Sequence, residues 1–330
     1  MEKSGKSNST LNPHLYIVNK IFSKYSVVIG MLVVIIVFGL ISENFLTVRN
    51  INNILSSVVP LFFMAMGLSF VILTGSIDLS IGSICTCTCV FVGLYIGKMG
   101  NTIFLVVIII GFIAGLLNGF LVSTLKMPSF IVTLCTTSIW KCIALILSGG
   151  SSRSIPNEFW PIFSWARINI FIFPLTYIIA LVVWAFFVFI ERFSTMGKSI
   201  YAVGVNVGAA RMAGIKIEKA QITAYLLSGI GSALAGALYA LRLRASAPTV
   251  GDSLTLIAIA VIVLGGTSLA GGKGTVANTL PSVITVVILQ STLKVIGVDA
   301  YWQDIVFGIV LIVAIYINGD RSAIKDLILK

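Results

Sequence analysis

The chain has 330 residues, of which 58% are hydrophobic and only 10% are charged, and its formal net charge is +11 at pH 7. Soluble globular domains carry about 25% charged residues, so this composition excludes a soluble protein. Nucleic-acid binding is not indicated either, because the lysines and arginines are scattered between apolar segments, where they act as topology signals and contact lipid head groups.

The apolar residues fall into about ten runs, each close to the length of about 20 residues that a helix needs to cross a bilayer. In chain order, we predict spanning helices at 26–42, 55–74, 82–97, 102–123, 129–147, 169–190, 221–241, 253–270, 275–297 and 302–319. No alternating pattern of the membrane-barrel type is present, so helices are the predicted spanning structure. The expected fold class is an all-α polytopic membrane protein with about ten transmembrane helices.

Polar segments flank this membrane domain, which we place at 26–319. The tail at 1–25 is polar and has no small-residue cleavage site after the first apolar run, so we interpret it as cytoplasmic and not as a signal peptide. With that orientation, 14 of the 22 lysines and arginines lie on the cytoplasmic side and 7 lie outside. This bias follows the positive-inside rule and predicts that both the tail at 1–25 and the tail at 320–330 are cytoplasmic.

The stretch LTGSIDLSIGS, at 73–83, interrupts the apolar pattern after the second predicted span. Gly75 breaks the helix, and Asp78 and Ser80 precede the next apolar run. Their side chains could accept hydrogen bonds from the free N–H groups of the following helix. Alternatively, the stretch is a broken helix whose polar end lines a water-filled path. The sequence leaves both interpretations open.

Lys141, in TSIWKCIALIL, is a cation well inside an apolar run. A charge at such a position is expected to face the interior of the bundle or a cavity, and to have a partner. Asp78 is the most attractive candidate for that partner. Snorkelling of the long lysine side chain to the membrane interface is the alternative.

Signatures of enzymatic chemistry are absent from the sequence, and we predict no catalytic residue, cofactor or metal. Three cysteines lie in CTCTC at 85–89, but Cys85 and Cys89 share a helix face while Cys87 points away, so packing is the preferred interpretation. The glycine-rich stretch at 265–275 departs from the phosphate-binding pattern GxxxxGK[ST]. We interpret it as a tight reversal between two spans.

Five motifs, taken together, resemble a known family. They are GSIDLSIGS (75–83), GLLNGFLV (115–122), MPSFIVTL (127–134), GVNVGAARMAGI (204–215) and VLGGTSLAGGKGTVANTL (263–280). In this order and spacing they resemble the permease subunits of bacterial ABC importers for ribose and other simple sugars. The resemblance runs from about residue 45 to residue 319.

The resemblance implies a transport subunit of the bacterial cytoplasmic (inner) membrane that performs no covalent chemistry itself. Its implied partners are a second permease, in a homo- or heterodimer, a cytoplasmic ABC ATPase that hydrolyses ATP, an extracytoplasmic sugar-binding protein and membrane lipid. The implied substrate is a ribose-like pentose or a hexose. A polar path through the bundle is expected, and its candidates are Asp78, Ser80, Asn118, Thr133 and Lys141.

The loop at 191–220 is the largest on the cytoplasmic side, and the resemblance implies that it contains the segment that couples the permease to its ATPase. The residues expected in this role are Gly204, Asn206, Ala209, Ala210, Arg211 and Gly214. The alanines would let a short helix lie close against another protein, the two glycines could turn the chain at its ends, and Arg211 would supply a docking charge. An ordinary amphipathic helix at the membrane interface is the alternative.

The sequence also departs from the family pattern. Val207 stands where an acidic residue is usual, Thr255 replaces a usual glutamate, and Lys141-Cys142 replaces Arg-Gly. These departures are consistent with a heterodimer whose second permease carries the missing carboxylates. The alternative functions are a self-sufficient secondary transporter or channel, and an ABC permease for another small solute such as a signalling furanose or a nucleoside. For an ion-coupled transporter the sequence offers one candidate carboxylate, Asp78.

Overall fold

A computed structural model describes residues 28–40, 45–295 and 297–299, together with 302, 305, 308 and 309. The predicted tails at 1–25 and 320–330, and all but four positions of the predicted span at 302–319, lie outside these residues. The helices are α1 Val28–Leu40, α2 Val48–Leu73, α3 Ile81–Met99, α4 Ile103–Ser123, α5 Ser129–Ser148, α6 Leu175–Phe193, α7 Thr195–Val205, α8 Val207–Met212, α9 Ile217–Leu243, α10 Leu254–Leu264 and α11 Thr279–Val295.

Within the described residues, strands occur only as two short pairs at the connections. They are β1 Arg153–Ser154, β2 Asn169–Ile170, β3 Phe173–Pro174 and β4 Ala245–Ser246, and β1 pairs antiparallel with β4 while β2 pairs antiparallel with β3. Short 3₁₀ helices occupy Gly100–Thr102, Asn157–Arg167 and Val276–Asn278. The helical membrane fold predicted from the apolar runs is confirmed.

Six helical stretches of the described chain are long and apolar enough to cross a membrane: Val48–Leu73, Ile81–Ser123 (α3 and α4 joined by a short turn), Ser129–Ser148, Leu175–Phe193, Ile217–Leu243 and Val276–Lys294. Two further apolar helices, α1 and α10, are shorter. The predicted boundaries of α3, α4 and α5 agree closely with the observed ones. The predicted span at 253–270 differs most in length, because α10 has only 11 residues.

The core of the bundle is α2, packed against α9. Every residue of α2 from Val58 to Leu73 is buried. Helix α9 is also the main partner of α3 and α4, and small residues let the helices approach. A Cβ atom on Gly115 of α4 would lie 2.3 Å from the Tyr225 carbonyl oxygen of α9. Gly111 and Gly119 of α4 also face backbone atoms of α9 at close range, so this row of glycines is a helix contact.

Helix α10 is short because it ends at Leu264, where Gly265 and Gly266 begin the glycine-rich loop, and the segment at 245–253 that precedes it is not helical. That segment runs along α3, with Ser246 against Gly93 and Gly251 against Gly82. The Gly251 N–H donates to Thr86 Oγ1 over 2.9 Å. Non-helical backbone is tolerated at membrane depth where it is buried in protein, and α3 supplies that cover. One part of this crossing is therefore a non-helical segment, in which β4 is followed by turns, and α10 forms the other.

Candidate functional site

The break between α2 and α3 is organised around Asp78. Its Oδ1 atom accepts hydrogen bonds from the backbone N–H of Ser80 over 3.0 Å and from the Ser80 hydroxyl over 2.6 Å. Its Oδ2 atom accepts from the Ser228 hydroxyl of α9 over 2.8 Å. The side chains of Asp78, Ser80 and Ser228 are fully buried. Asp78 thus binds the N–H of the residue directly ahead of α3 and joins that break to α9, but neither Asp78 nor Ser80 caps an N–H group of α3 itself.

Two further path candidates lie on the same break. Asn118 of α4 donates from Nδ2 to Ser80 Oγ over 2.8 Å. On α5, the hydroxyl of Thr133 lies 2.8 Å from the Ser129 carbonyl oxygen and 3.4 Å from that of Ile77. The structure therefore brings Asp78, Ser80, Asn118 and Thr133 together around one broken segment.

These four residues are closed in by protein. Each is fully buried, and none lines the large cavity described below. Burial of a polar group is costly unless it is hydrogen-bonded, and the bonds described above meet that need except at Asn118 Oδ1, which is buried and has no hydrogen-bond partner among the described residues. In this conformation the cluster ties the segment at 74–80 to α4, α5 and α9. A role in lining the path remains a prediction.

Lys141 does not pair with Asp78, and that part of the sequence interpretation is wrong. Its Nζ atom lies 2.8 Å from Oδ1 of Asp252, in the turns before α10. Asp78 is enclosed by Ser80 and Ser228 and has no exposed surface. The turns before α10 bring a second carboxylate to α5, which the sequence did not indicate as a partner for Lys141. Lys141 and Asp252 are both about half exposed.

The predicted coupling segment forms α7, α8 and the turn that follows. Asn206 caps α8, because its Oδ1 atom accepts from the Ala209 N–H over 2.9 Å. The larger exposed side chains around this helix include Val205, Val207, Arg211 and Met212. We call these four residues the α8 patch. Met212 is 86% exposed and Val205 is 70% exposed, so the patch is largely apolar, and the departure at Val207 belongs to it.

Two details of the predicted coupling segment need correction. Ala210 is only 4% exposed and packs into the chain's own core, so it is not available to a partner, whereas Ala209 is exposed. Gly204 lies inside α7 and does not turn the chain. A Cβ atom there would lie 1.9 Å from the Leu73 carbonyl oxygen, so glycine is needed for close approach. Gly214 does turn the chain, with a φ of 77°.

The glycine-rich loop at 265–275 is the predicted reversal, and it joins α2 to α7. The Gly272 N–H donates to the Leu73 carbonyl oxygen at the end of α2 over 3.0 Å. Gly271 and Gly272 have positive φ values, and Gly204 of α7 packs directly on this turn. A movement of α7 would therefore act directly on the end of α2, the central helix.

Sequence reasoning missed Glu191, at the end of α6. This carboxylate is 3% exposed, accepts from the Val276 N–H and the Thr275 hydroxyl over 3.1 Å each, and is hydrogen-bonded by the Tyr201 hydroxyl of α7. Burial and the adjacent Glu191 carboxylate raise the pKa of Tyr201, which therefore keeps its proton to donate. The network joins α6, α7 and the start of the α11 crossing. The sequence signal that could have identified Glu191 is an acidic residue near the end of an otherwise apolar run.

A cavity of about 990 Å³ opens beside the first turns of α2 and the last turns of α9 and α11. Its basic lining residues are Arg167, Arg242, Arg244 and Lys294. Arg242 donates to the Ser57 hydroxyl over 2.5 Å, and the Arg244 guanidinium stacks 3.8 Å from the Trp160 ring centroid. The cavity lies at the start of α2 and the loop at 265–275 at its end, so the cavity and the α7–α8 region lie at opposite ends of the bundle.

The cysteines of CTCTC pack within the protein. Cys85, Cys87 and Cys89 are buried and contribute to three different apolar clusters. Within the described ranges, no three histidine, cysteine or acidic residues are grouped as metal ligands. Packing is therefore the role that the contacts of these cysteines support.

Comparison with known proteins places the chain in a family. The family model described as branched-chain amino acid transport system / permease component matches residues 50–315. The ribose import permease protein RbsC of Bacillus subtilis (strain 168) is 33% identical over 311 residues, covering 92% of this chain and 95% of the relative.

Two other relatives cover similar lengths. RbsC of Escherichia coli (strain K12) is 32% identical over 305 residues, covering 89% of this chain and 93% of its own length. The autoinducer 2 import system permease protein LsrC of Photorhabdus luminescens is 30% identical over 305 residues, covering 90% of this chain and 91% of the relative. No solved structure matches the chain significantly. The chain belongs to the family of permease components of branched-chain amino acid-type transport systems.

Proposed function

We propose that this chain is the membrane-spanning subunit of an ATP-binding-cassette importer for a simple sugar, a ribose-like pentose or a hexose. The observation that carries the proposal is the pairing of two features at opposite ends of one bundle. One end has a large cavity with four basic residues in its lining, and the other has the exposed α8 patch. Relatives named as ribose import permeases, matched over most of the chain, support the choice of substrate class.

In this proposal the chain works by alternating access. A sugar-binding protein docks at the cavity end, near 148–168 and 242–252, and releases sugar between two permeases. ATP hydrolysis on separate cytoplasmic subunits moves α7 and α8, and the Glu191 network and the glycine-rich loop carry that movement to α6, α2 and α11. The α8 patch and both chain termini are cytoplasmic, in the inner membrane of a bacterium.

The test is ATP hydrolysis by this chain reconstituted with its cognate ATPase and binding protein, across a panel of pentoses and hexoses. Stimulation by one sugar, only with the binding protein present, is expected. The panel includes autoinducer 2, because a relative is named for its import. If hydrolysis never responded, while this chain alone moved solute down a gradient, the self-sufficient transporter would replace the importer.

We propose that the α8 patch inserts into a cleft of the ATPase. Met212→Glu is expected to reduce co-purification of the ATPase at least about tenfold, because an interface core of exposed apolar side chains does not accept an unpaired charge. Arg211→Glu, which reverses a docking charge, should act in the same direction. The measurement is the ratio of ATPase to permease after affinity purification from membranes.

The matched control is Met127→Glu. Met127 is also an exposed methionine, but it lies in the loop between α4 and α5. This variant should retain the ATPase. If Met212→Glu bound the ATPase as well as Met127→Glu does, α8 would be an interfacial helix and not the docking element.

A further inference from the structure

An ion pair lies deep within the membrane-spanning part of the bundle and is only half enclosed. Lys141 and Asp252 are 2.8 Å apart, and their side chains are 42% and 48% exposed. Lys141 is the thirteenth of 20 residues in α5, about 18 Å along the helix from Ser129. It is therefore well inside the length of a spanning helix.

Asp252 lies at the level that the Lys141 ammonium reaches, because the two groups are in contact. Its neighbour Gly251 packs against Gly82 and hydrogen-bonds to Thr86 in the first turns of α3. Gly82 is the second residue of α3 and lies about 26 Å along that helix from Met99. An aspartate side chain is too short to reach the Met99 end of α3 from there. Its exposed half must therefore meet water, another protein surface or lipid.

Lipid is the least favourable of these surroundings, because an ionisable group within a span almost always faces the bundle interior or a water-filled cavity. Hydroxyl-bearing residues lie beside both charges. Ser138 is one helical turn before Lys141 and is exposed, and Ser253 follows Asp252 and is also exposed. A protein surface that faces lipid is apolar, and it would not carry both a half-exposed ion pair and exposed hydroxyl groups.

We infer that Lys141 and Asp252 form a sugar-binding pair on the wall of the translocation path. The Asp252 carboxylate accepts hydrogen bonds from sugar hydroxyl groups, and the Lys141 ammonium donates to sugar oxygens. Such charge-assisted hydrogen bonds are strong and directional, so the pair distinguishes epimers that differ in one hydroxyl. This inference rests on the proposed sugar importer and adds Asp252, which the sequence did not indicate.

The first test compares transport of D-ribose with that of its epimers D-arabinose and D-xylose, in proteoliposomes containing the complete complex. Asp252→Asn and Lys141→Gln keep the side-chain shape or length and remove one charge each. Each is expected to change the ratio of the ribose rate to the epimer rates about tenfold, the effect of losing one hydrogen bond to a charged group.

The control is a second ion pair of similar geometry. Lys126 and Glu218 are 2.9 Å apart and 56% and 47% exposed, but Lys126 lies in the loop between α4 and α5 and Glu218 begins α9. Lys126→Gln and Glu218→Gln should leave the epimer ratios unchanged. If the variants of the deep pair altered all three sugars by the same factor, the pair would be structural and the inference would be wrong.

A second test does not depend on transport. In a background with Cys135→Ser and Cys142→Ser, Ser138→Cys is expected to react at least about tenfold faster with a membrane-impermeant thiol reagent than Ile113→Cys, because the reactive thiolate forms in water. Ile113 is 53% exposed at the middle of α4. Equal, slow reaction of both cysteines would place the pair against lipid and overturn the inference, while sugar-stimulated ATP hydrolysis would leave the importer itself intact.

Discussion

Replacing Gly204 by alanine is expected to uncouple the permease from ATP hydrolysis. The added Cβ atom would lie 1.9 Å from the Leu73 carbonyl oxygen and 2.5 Å from the Gly272 nitrogen, both of which are backbone atoms that cannot rotate away. Helix α7 must shift, and overpacking of this kind costs about 1–3 kcal/mol. The measurements are thermal unfolding of the purified permease and sugar-stimulated ATP hydrolysis of the reconstituted complex, and both should fall.

The same substitution four residues later provides the control. Gly208 lies in α8, and a Cβ atom there would meet only the Asn206 side chain, at 3.3 Å. Alanine has a higher helix propensity than glycine, so Gly208→Ala should leave stability unchanged or slightly raised. Equal behaviour of the two variants would mean that the close contact between α7, Leu73 and Gly272 has no role in coupling.

Replacing Glu191 by leucine is expected to have an effect of similar size. The substitution leaves the Thr275 hydroxyl and the Val276 N–H without their acceptor, and removes the carboxylate that binds Tyr201. Each buried polar group left unpaired costs about 1–3 kcal/mol. We expect a lower unfolding temperature and a loss of sugar-stimulated ATP hydrolysis, because α6 and α7 are no longer joined to the start of the α11 crossing.

Glu191→Gln separates stability from coupling, since the amide retains one acceptor and nearly the same shape. It should unfold at a higher temperature than Glu191→Leu and still couple less well than the unaltered protein. Glu218→Leu is the control for loss of a carboxylate, because surface ion pairs contribute little to stability. Full coupling in Glu191→Leu would refute the idea that this network transmits movement of α7.

The family and the broad architecture could be predicted from the sequence, because both depend on local patterns. Long apolar runs form helices in a membrane, since only intrahelical hydrogen bonds satisfy the backbone there. The runs at 102–123 and 129–147 correspond closely to α4 and α5. The break after α2 was likewise visible, as Gly75 followed by polar residues.

The run at 253–270 shows where that reasoning stops. Helix α10 ends at Leu264, where the glycine-rich reversal begins, and the segment at 245–253 before it is non-helical and packs on α3, which offers close backbone approach at Gly82 and Gly93. Such a partner lies far away in the sequence, and no local pattern reveals it.

The same limit applies to the charged residues. From the sequence, Lys141 was known to need a partner, but the choice between Asp78 and Asp252 depends on which segments meet α5. Glu191 and the basic cavity were missed for the same reason, since each is assembled from several helices and loops. The sequence by itself determined which segments enter the membrane and that the chain is a permease. Only the tertiary structure decided which polar groups meet, because their partners come from elements far apart along the chain.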